Sequence, residues 1–196
     1  MTKNETNIIL LGGTGCTGKT ALAHSIMCRF AMPYFSIDHL MMGLYRSQSN
    51  CGFSPDDSDQ HIASQMWPTV QAMIMTGIEN RHSSVYEGIQ LQPATMRQFD
   101  ERYLPFIIPL CIGFSERYIE LEFSGAIRDN RNRIEQRQFG SENLANMVEK
   151  NRIMKEQCGL YDVPYFEVDC HYDQTIQAAL SYIERKISPP KNSSES

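Results

Sequence analysis

Gly13-Thr14-Gly15-Cys16-Thr17-Gly18-Lys19-Thr20 is the stretch on which the fold turns. It satisfies G-x-x-x-x-G-K-[ST] at every fixed position, and such glycines let successive backbone N–H groups curl around an anion. The flanks agree with it. Asn7-Ile8-Ile9-Leu10-Leu11 is a short unbroken apolar run, as a parallel strand buried on both faces requires. From Thr20 to Met32, Leu22, Ile26 and Phe30 recur at helical spacing, and Pro33 disfavours helix at the residue before it. Strand, glycine loop and helix in that order set a helix dipole behind bound phosphates. Gly13, Thr14, Gly15, Cys16, Thr17, Gly18, Lys19 and Thr20 are therefore the expected nucleotide-binding residues. Lys19 reaches the β- and γ-phosphates, and Thr20 offers its hydroxyl to Mg²⁺. The cofactors implied are ATP and Mg²⁺.

Strands and helices alternate along the rest of the chain. Tyr34 to Asp38 is a second strand, His39 to Tyr45 a short helix, and Arg46 to Gly52 a polar loop. Ser54-Pro55-Asp56-Asp57 has a cap residue, a proline and two acids, so a helix is expected to start there and run to about Asn80. Pro68 implies a kink or two abutting helices meeting at Trp67. Ser83 to Gly88 and Phe106 to Gly113 are further strands, and Ser115 caps another helix. A helix from Glu142 to Cys158, a fifth strand from Tyr165 to Asp169 and a last helix from Gln174 to Ile187 follow. This alternation predicts an α/β fold with a parallel sheet covered on both faces. We expect one domain over 1–188 and a frayed tail over 189–196.

Composition narrows the partners. With 18 basic against 23 acidic residues, the net charge of −5 argues against nucleic acid or an anionic membrane as the main partner. The sequence has no apolar run of spanning length, and its first residues are polar, so a cytoplasmic location is expected. The six cysteines form no C-x-x-C pair, which points to reduced thiols rather than zinc. Cys111 suits core packing. Cys16, inside the glycine loop, is a candidate for a reactive thiol. Met41, Met42, Met66, Met73, Met75 and Trp67 suit core packing too.

Three groups outside the loop carry chemistry. Asp38 and Glu87 each end a β-prone run, at the sheet edge where ligands bind in open α/β folds. Phosphoryl transfer needs an acid to serve Mg²⁺ and a group that acts on the acceptor hydroxyl. Glu87 is assigned the metal role together with Thr20, and Asp38 the acceptor role; a strand-end cap is the alternative for either. His39 is a further group that could touch the acceptor. Arg128, Arg131, Arg133 and Arg137 crowd a polar stretch that suits a mobile lid over about 117–152. On a helix, Arg128 and Arg131 share one face and Arg133 and Arg137 nearly the opposite one, so the first pair is assigned to catalysis. A merely solvated helix is the alternative.

Gly12 to Thr20, Phe35-Ser36-Ile37-Asp38-His39-Leu40 and Val85-Tyr86-Glu87-Gly88 together resemble the nucleoside-monophosphate-kinase-like branch of P-loop proteins. Within that branch the segments look most like small 2-phosphoglycerate-kinase-like and zeta-toxin-like proteins. The resemblance implies a three-layer P-loop NTPase fold, with a five-stranded parallel sheet in the order 2-3-1-4-5 and a small helical lid. It also implies an adenine pocket around Asp169 to Tyr172. The paired arginines that hold a nucleotide acceptor in adenylate kinases have no counterpart, and Arg46 is the sole Lys or Arg between 46 and 67. The expected activity is transfer of the γ-phosphoryl group of ATP to a small hydroxylated metabolite by a monomer or homodimer. A nucleotide or nucleotide-sugar kinase and a non-enzymatic ATP-binding regulatory module are the alternatives.

Overall fold

Residues 6–127 and 143–187 are described by the computed structural model. Five parallel strands form one sheet in the order β2-β3-β1-β4-β5. They are β1 (Ile8–Gly13), β2 (Tyr34–Ser36), β3 (Ser84–Glu87), β4 (Ile107–Phe114) and β5 (Tyr165–Val168). The central strands β1, β3 and β4 are buried at every residue, and β1 and β4 are accordingly written as nearly unbroken apolar runs, while β3 buries Ser84 and Glu87 at its two ends. This is the sheet order that the family resemblance implied.

The pleat divides the interior into two cores. Ile8 and Leu10 face one side, with Met66 and Ile74 of α3 (Asp59–Glu79), Ile37 and Met41 of α2 (Ile37–Ser47), and Met96 of the short α4 (Pro93–Met96). Ile9 and Leu11 face the other. They meet Leu22 and Ile26 of α1 (Lys19–Phe30), Ile119 of α5 (Glu116–Glu122), and Leu180 and Ile183 of the last helix (Tyr172–Ile187). The helix Leu144–Leu160, here α6, serves both: Met147 lies in the second core, Met154 and Cys158 in the first. The last helix is α7. Each fully buried Leu or Ile contributes about 1.5–3 kcal/mol, so these two layers supply most of the driving force.

Several boundaries differ from the sequence reading, each for a local reason. β1 continues through Gly12 and Gly13, whose backbones still pair with Cys111 and Ile112. β2 ends at Ser36, and Asp38 lies in the first turn of α2, because Ile37 and Met41 bury themselves at helical spacing. Ser54 to Asp57 forms a turn in which the Ser54 N–H donates to Asp57 Oδ2 at 2.8 Å. The helix starts only at Asp59, capped by Ser58, whose hydroxyl accepts from the His61 N–H. Two cap signals stand in succession, and the second one propagates. α3 runs as one helix through Pro68, and Trp67 packs edge-on against Phe99 at 5.4 Å. β4 extends one residue further, to Phe114, and β5 stops at Val168. α7 begins two residues earlier than expected, at Tyr172.

Ser115 caps α5 as expected, accepting from the Tyr118 N–H. Cys111, Met41 and Met66 are core residues, and Met42, Met73, Met75 and Trp67 pack against the core half-buried. None of the six cysteines is in a disulfide. Among the described residues, no helix is long and apolar enough to cross a membrane. Arg128, Arg131, Arg133, Arg137 and the tail over 189–196 lie outside the described residues, as does the middle of the expected lid.

Candidate active site

The register of the sheet assembles the site. β1, β2 and β3 bring Leu11, Ser36 and Glu87 into one row at their C-terminal ends, directly below the loop that follows β1. Gly13 leaves the strand with φ +133°, and a Cβ there would overlap the Ile112 carbonyl. Cys16 takes a left-handed φ of 63°, a conformation a non-glycine residue adopts at some cost in strain. Gly18 (φ +84°) stands at the N-cap of α1, and a Cβ on it would overlap the Tyr172 hydroxyl. α1 has no side-chain cap and no acid in its first turn, so its first N–H groups are left for an anionic ligand.

Lys19 folds back into this loop. It is 7% exposed, and its Nζ donates to the Thr14 carbonyl at 2.6 Å. The same carbonyl accepts from the Thr17 hydroxyl at 2.9 Å. Burial lowers the Lys19 pKa, while the carboxylates of Asp38 and Glu87 act to raise it. Thr14 is held from behind: its hydroxyl donates to Asn151 Oδ1 at 2.8 Å. That oxygen also accepts the Phe114 N–H at 2.7 Å, while Asn151 Nδ2 donates to the Met147 carbonyl at 2.8 Å. One buried amide of α6 thus ties the phosphate loop to the end of β4.

Glu87 is 2% exposed at the end of β3. Burial pushes its carboxyl above the ordinary range, against hydrogen bonds from the Ser36 and Thr20 hydroxyls and the nearby Lys19 ammonium. Thr20, expected beside it at a metal, is exposed on α1 and reaches that carboxylate. A hydroxyl and a buried, incompletely compensated carboxylate form an all-oxygen set that fits Mg²⁺ completed by phosphates and water. No cluster of three or more His, Cys, Asp or Glu is present among the described residues.

Asp38 is half-buried across the row, and its Oδ1 accepts from Gln90 Nε2 at 2.7 Å. Its field reaches both Lys19 and Glu87. Gln90 is 3% exposed; its Nε2 also lies 3.6 Å from Met41 Sδ, and its Oε1 is buried without a donor. Such an orphan costs about 1–3 kcal/mol. His39 is exposed on α2. A groove of about 1310 Å³ beside Pro33, Phe35, Met73 and His82 opens at the opposite end of the strands and includes none of these residues.

The structure thus brings Lys19, Thr20, Glu87 and Asp38 together. Sequence reasoning missed Gln90 and Asn151. Both left a faint signal: Gln90 interrupts an apolar turn between Ile89 and Leu91, and Asn151 sits on the buried stripe Met147, Asn151, Met154, Cys158 of α6. Tyr172, in the stretch expected near adenine, stands against Gly18.

No protein-family model matches the sequence, and no curated protein is similar to it. Solved structures do share its fold. A gluconokinase from Sinorhizobium meliloti 1021 aligns at 15% identity over 93% of this chain and 94% of that one, with a TM-score of 0.57. A shikimate kinase from Bacteroides thetaiotaomicron aligns at 12% identity over 91% and 98%, with a TM-score of 0.52. The shikimate kinase of Aquifex aeolicus vf5 gives 13% identity, 90% and 96% coverage, and 0.50. The fold is the P-loop kinase fold, with its five-stranded parallel sheet in the same order.

Proposed function

We propose that this protein is an ATP-dependent phosphotransferase that moves the γ-phosphoryl group onto a hydroxyl of a small hydroxylated metabolite. The observation that carries the reading is the convergence of Lys19 and Thr20 of α1 and Asp38 of α2 on Glu87 at the end of β3. A nucleotide-binding loop alone would not need a second carboxylate opposite the lysine. Lys19 exchanges the Thr14 carbonyl for the β- and γ-phosphates and offsets charge that builds on the transferring group. Thr20 and Glu87 would hold Mg²⁺, which would supply positive charge to offset that of the phosphates. Asp38 accepts the proton of the acceptor hydroxyl as the new O–P bond forms, while the bond from the γ-phosphorus to the bridging oxygen breaks and ADP leaves with its electron pair. Arg128 and Arg131 are proposed to add charge on the far side of the phosphoryl group.

Two features support a polyhydroxylated rather than a nucleotide acceptor. The stretch from Arg46 to Trp67 contains a single arginine and no lysine, so it offers little to bind an acceptor phosphate. The neighbours named above are a gluconokinase and shikimate kinases, which are named for small hydroxylated acids. Labelled ATP with Mg²⁺ and a panel of sugar acids, polyols, nucleosides and nucleotides tests the proposal. ADP release that depends on one of the hydroxylated acids or polyols supports it; release that depends only on nucleotides, or on no acceptor, overturns it.

A further inference from the structure

Among the described residues, Gln90 is a buried polar side chain beside the cleft that neither binds the phosphates in the proposed reaction nor serves Mg²⁺. It follows β3 by three residues, and its side chain turns back over Gly88 and Ile37; a Cβ on Gly88 would lie 2.6 Å from Gln90 Oε1 and 2.9 Å from the Ile37 Cβ. The neighbours are otherwise apolar: Ile37, Met41 and Leu91 belong to the first core. A methionine or leucine would suit such surroundings better, since it carries no oxygen to leave unsatisfied. The amide nevertheless spends one end unpaired, with Oε1 buried and without a donor, and uses the other on Asp38 Oδ1. That is the pattern of a polar group retained for what its N–H does rather than for what it adds to the fold.

Resting on the phosphotransferase reading, we infer that Gln90 is a positioning residue for Asp38, fixing Oδ1 so that Oδ2 is presented to the acceptor hydroxyl. Among the described residues, Asp38 has no other hydrogen-bond donor, so this single bond sets the rotation of the carboxylate in the ligand-free protein. A carboxylate that turns freely would meet the acceptor in the productive orientation for only part of the time, and misplacement of this kind lowers turnover more than binding. The Gln90 amide donates to Asp38 and lies against Met41, so its effect should be confined to the acceptor half of the site.

Gln90→Met keeps the length and removes both the N–H and the orphan oxygen. Its melting temperature is expected to equal or exceed that of the parent, its affinity for MgATP to stay within twofold, and its kcat to fall about tenfold or more. In an Asp38→Asn background the same substitution should cost nothing further. A Gln90→Met enzyme with kcat within twofold of the parent, or a loss of equal size in both backgrounds, overturns the inference. If the parent transfers phosphate to no acceptor, the kinase reading fails by itself, and the pairing is then decided by nuclear magnetic resonance of the full chain. The Gln90 side-chain amide signals should move in Asp38→Ala, and unchanged signals would refute the pairing. The same measurement decides the matter if Gln90→Met does not fold.

Discussion

Around the glycine loop, the side chains of Lys19, Thr17 and Thr14 have protein partners: Lys19 and Thr17 share the Thr14 carbonyl, and the Thr14 hydroxyl is held by Asn151. Around Asp38, one amide holds one carboxylate oxygen and its own carbonyl goes without a donor. In the proposed reaction the donor side is pre-shaped by backbone geometry, by bonds within the loop and by the Asn151 amide of α6, so it would need only an exchange of partners when a triphosphate arrives. The acceptor side depends on side chains from separate elements and tolerates an unsatisfied atom. Rigidity on one side and a small energetic sacrifice on the other suit a site in which the donor is common and the acceptor must be selected.

The largest test of this contrast removes its anchor. Lys19→Ala should lower phosphoryl transfer by about 10³-fold and weaken MgATP binding in calorimetry, because the site then lacks its fixed cation. Asp38→Asn should lower kcat by about 10²-fold while leaving MgATP affinity nearly unchanged; equal losses in both would erase the distinction between the two sides. Asn151→Ala leaves the Thr14 hydroxyl and the Phe114 N–H buried without their acceptor, so denaturant unfolding should show a loss of about 2–3 kcal/mol. MgATP affinity should fall with it, whereas acceptor KM should not.

The smallest effect is electrostatic and has a definite sign. Glu87 has a pKa raised by burial, so the folded protein binds that proton more tightly than the unfolded chain does. Its contribution to stability is complete below the ordinary carboxylate value of 4.5 and is lost as pH rises through the elevated one. Lys19, lowered by burial, contributes stability that is present above its ordinary value of 10.5 and is lost as pH falls through its depressed one. Melting curves of the ligand-free parent and of Glu87→Gln should therefore diverge progressively as pH climbs out of the acid range, with the variant flatter. Added Mg²⁺ should narrow the gap, since a cation favours the ionised carboxylate.

How much of this the sequence could reveal follows from the range of each signal. The glycine loop, the alternation of strands and helices, and Glu87 at the end of β3 are written in patterns a few residues long, so they are legible, whereas Asp38 reads as a strand end and lies in the first turn of α2. Asn151 and Gln90 are not, because their partners lie 137 and 52 residues away. A polar residue in an apolar stripe says only that some partner exists. The switch from strand to helix after Ser36 was missed because Phe35 and Ile37 suit the alternation of a strand, whereas Ile37 and Met41 suit a helix; burial against Met66 and Leu91 decides for the helix. Arg128 and Arg131 are chosen from the four arginines of the expected lid by their shared face on a helix, a pattern that names no partner, and they lie outside the described residues.

α6 places Met147 among the residues under α1 and α7, and Met154 with Cys158 among those under α3, with Asn151 between them. A single rod threaded through both layers means that neither layer can come apart without dragging the other with it. Melting should therefore proceed in one concerted step, and the glycine loop should keep its shape until both layers give way.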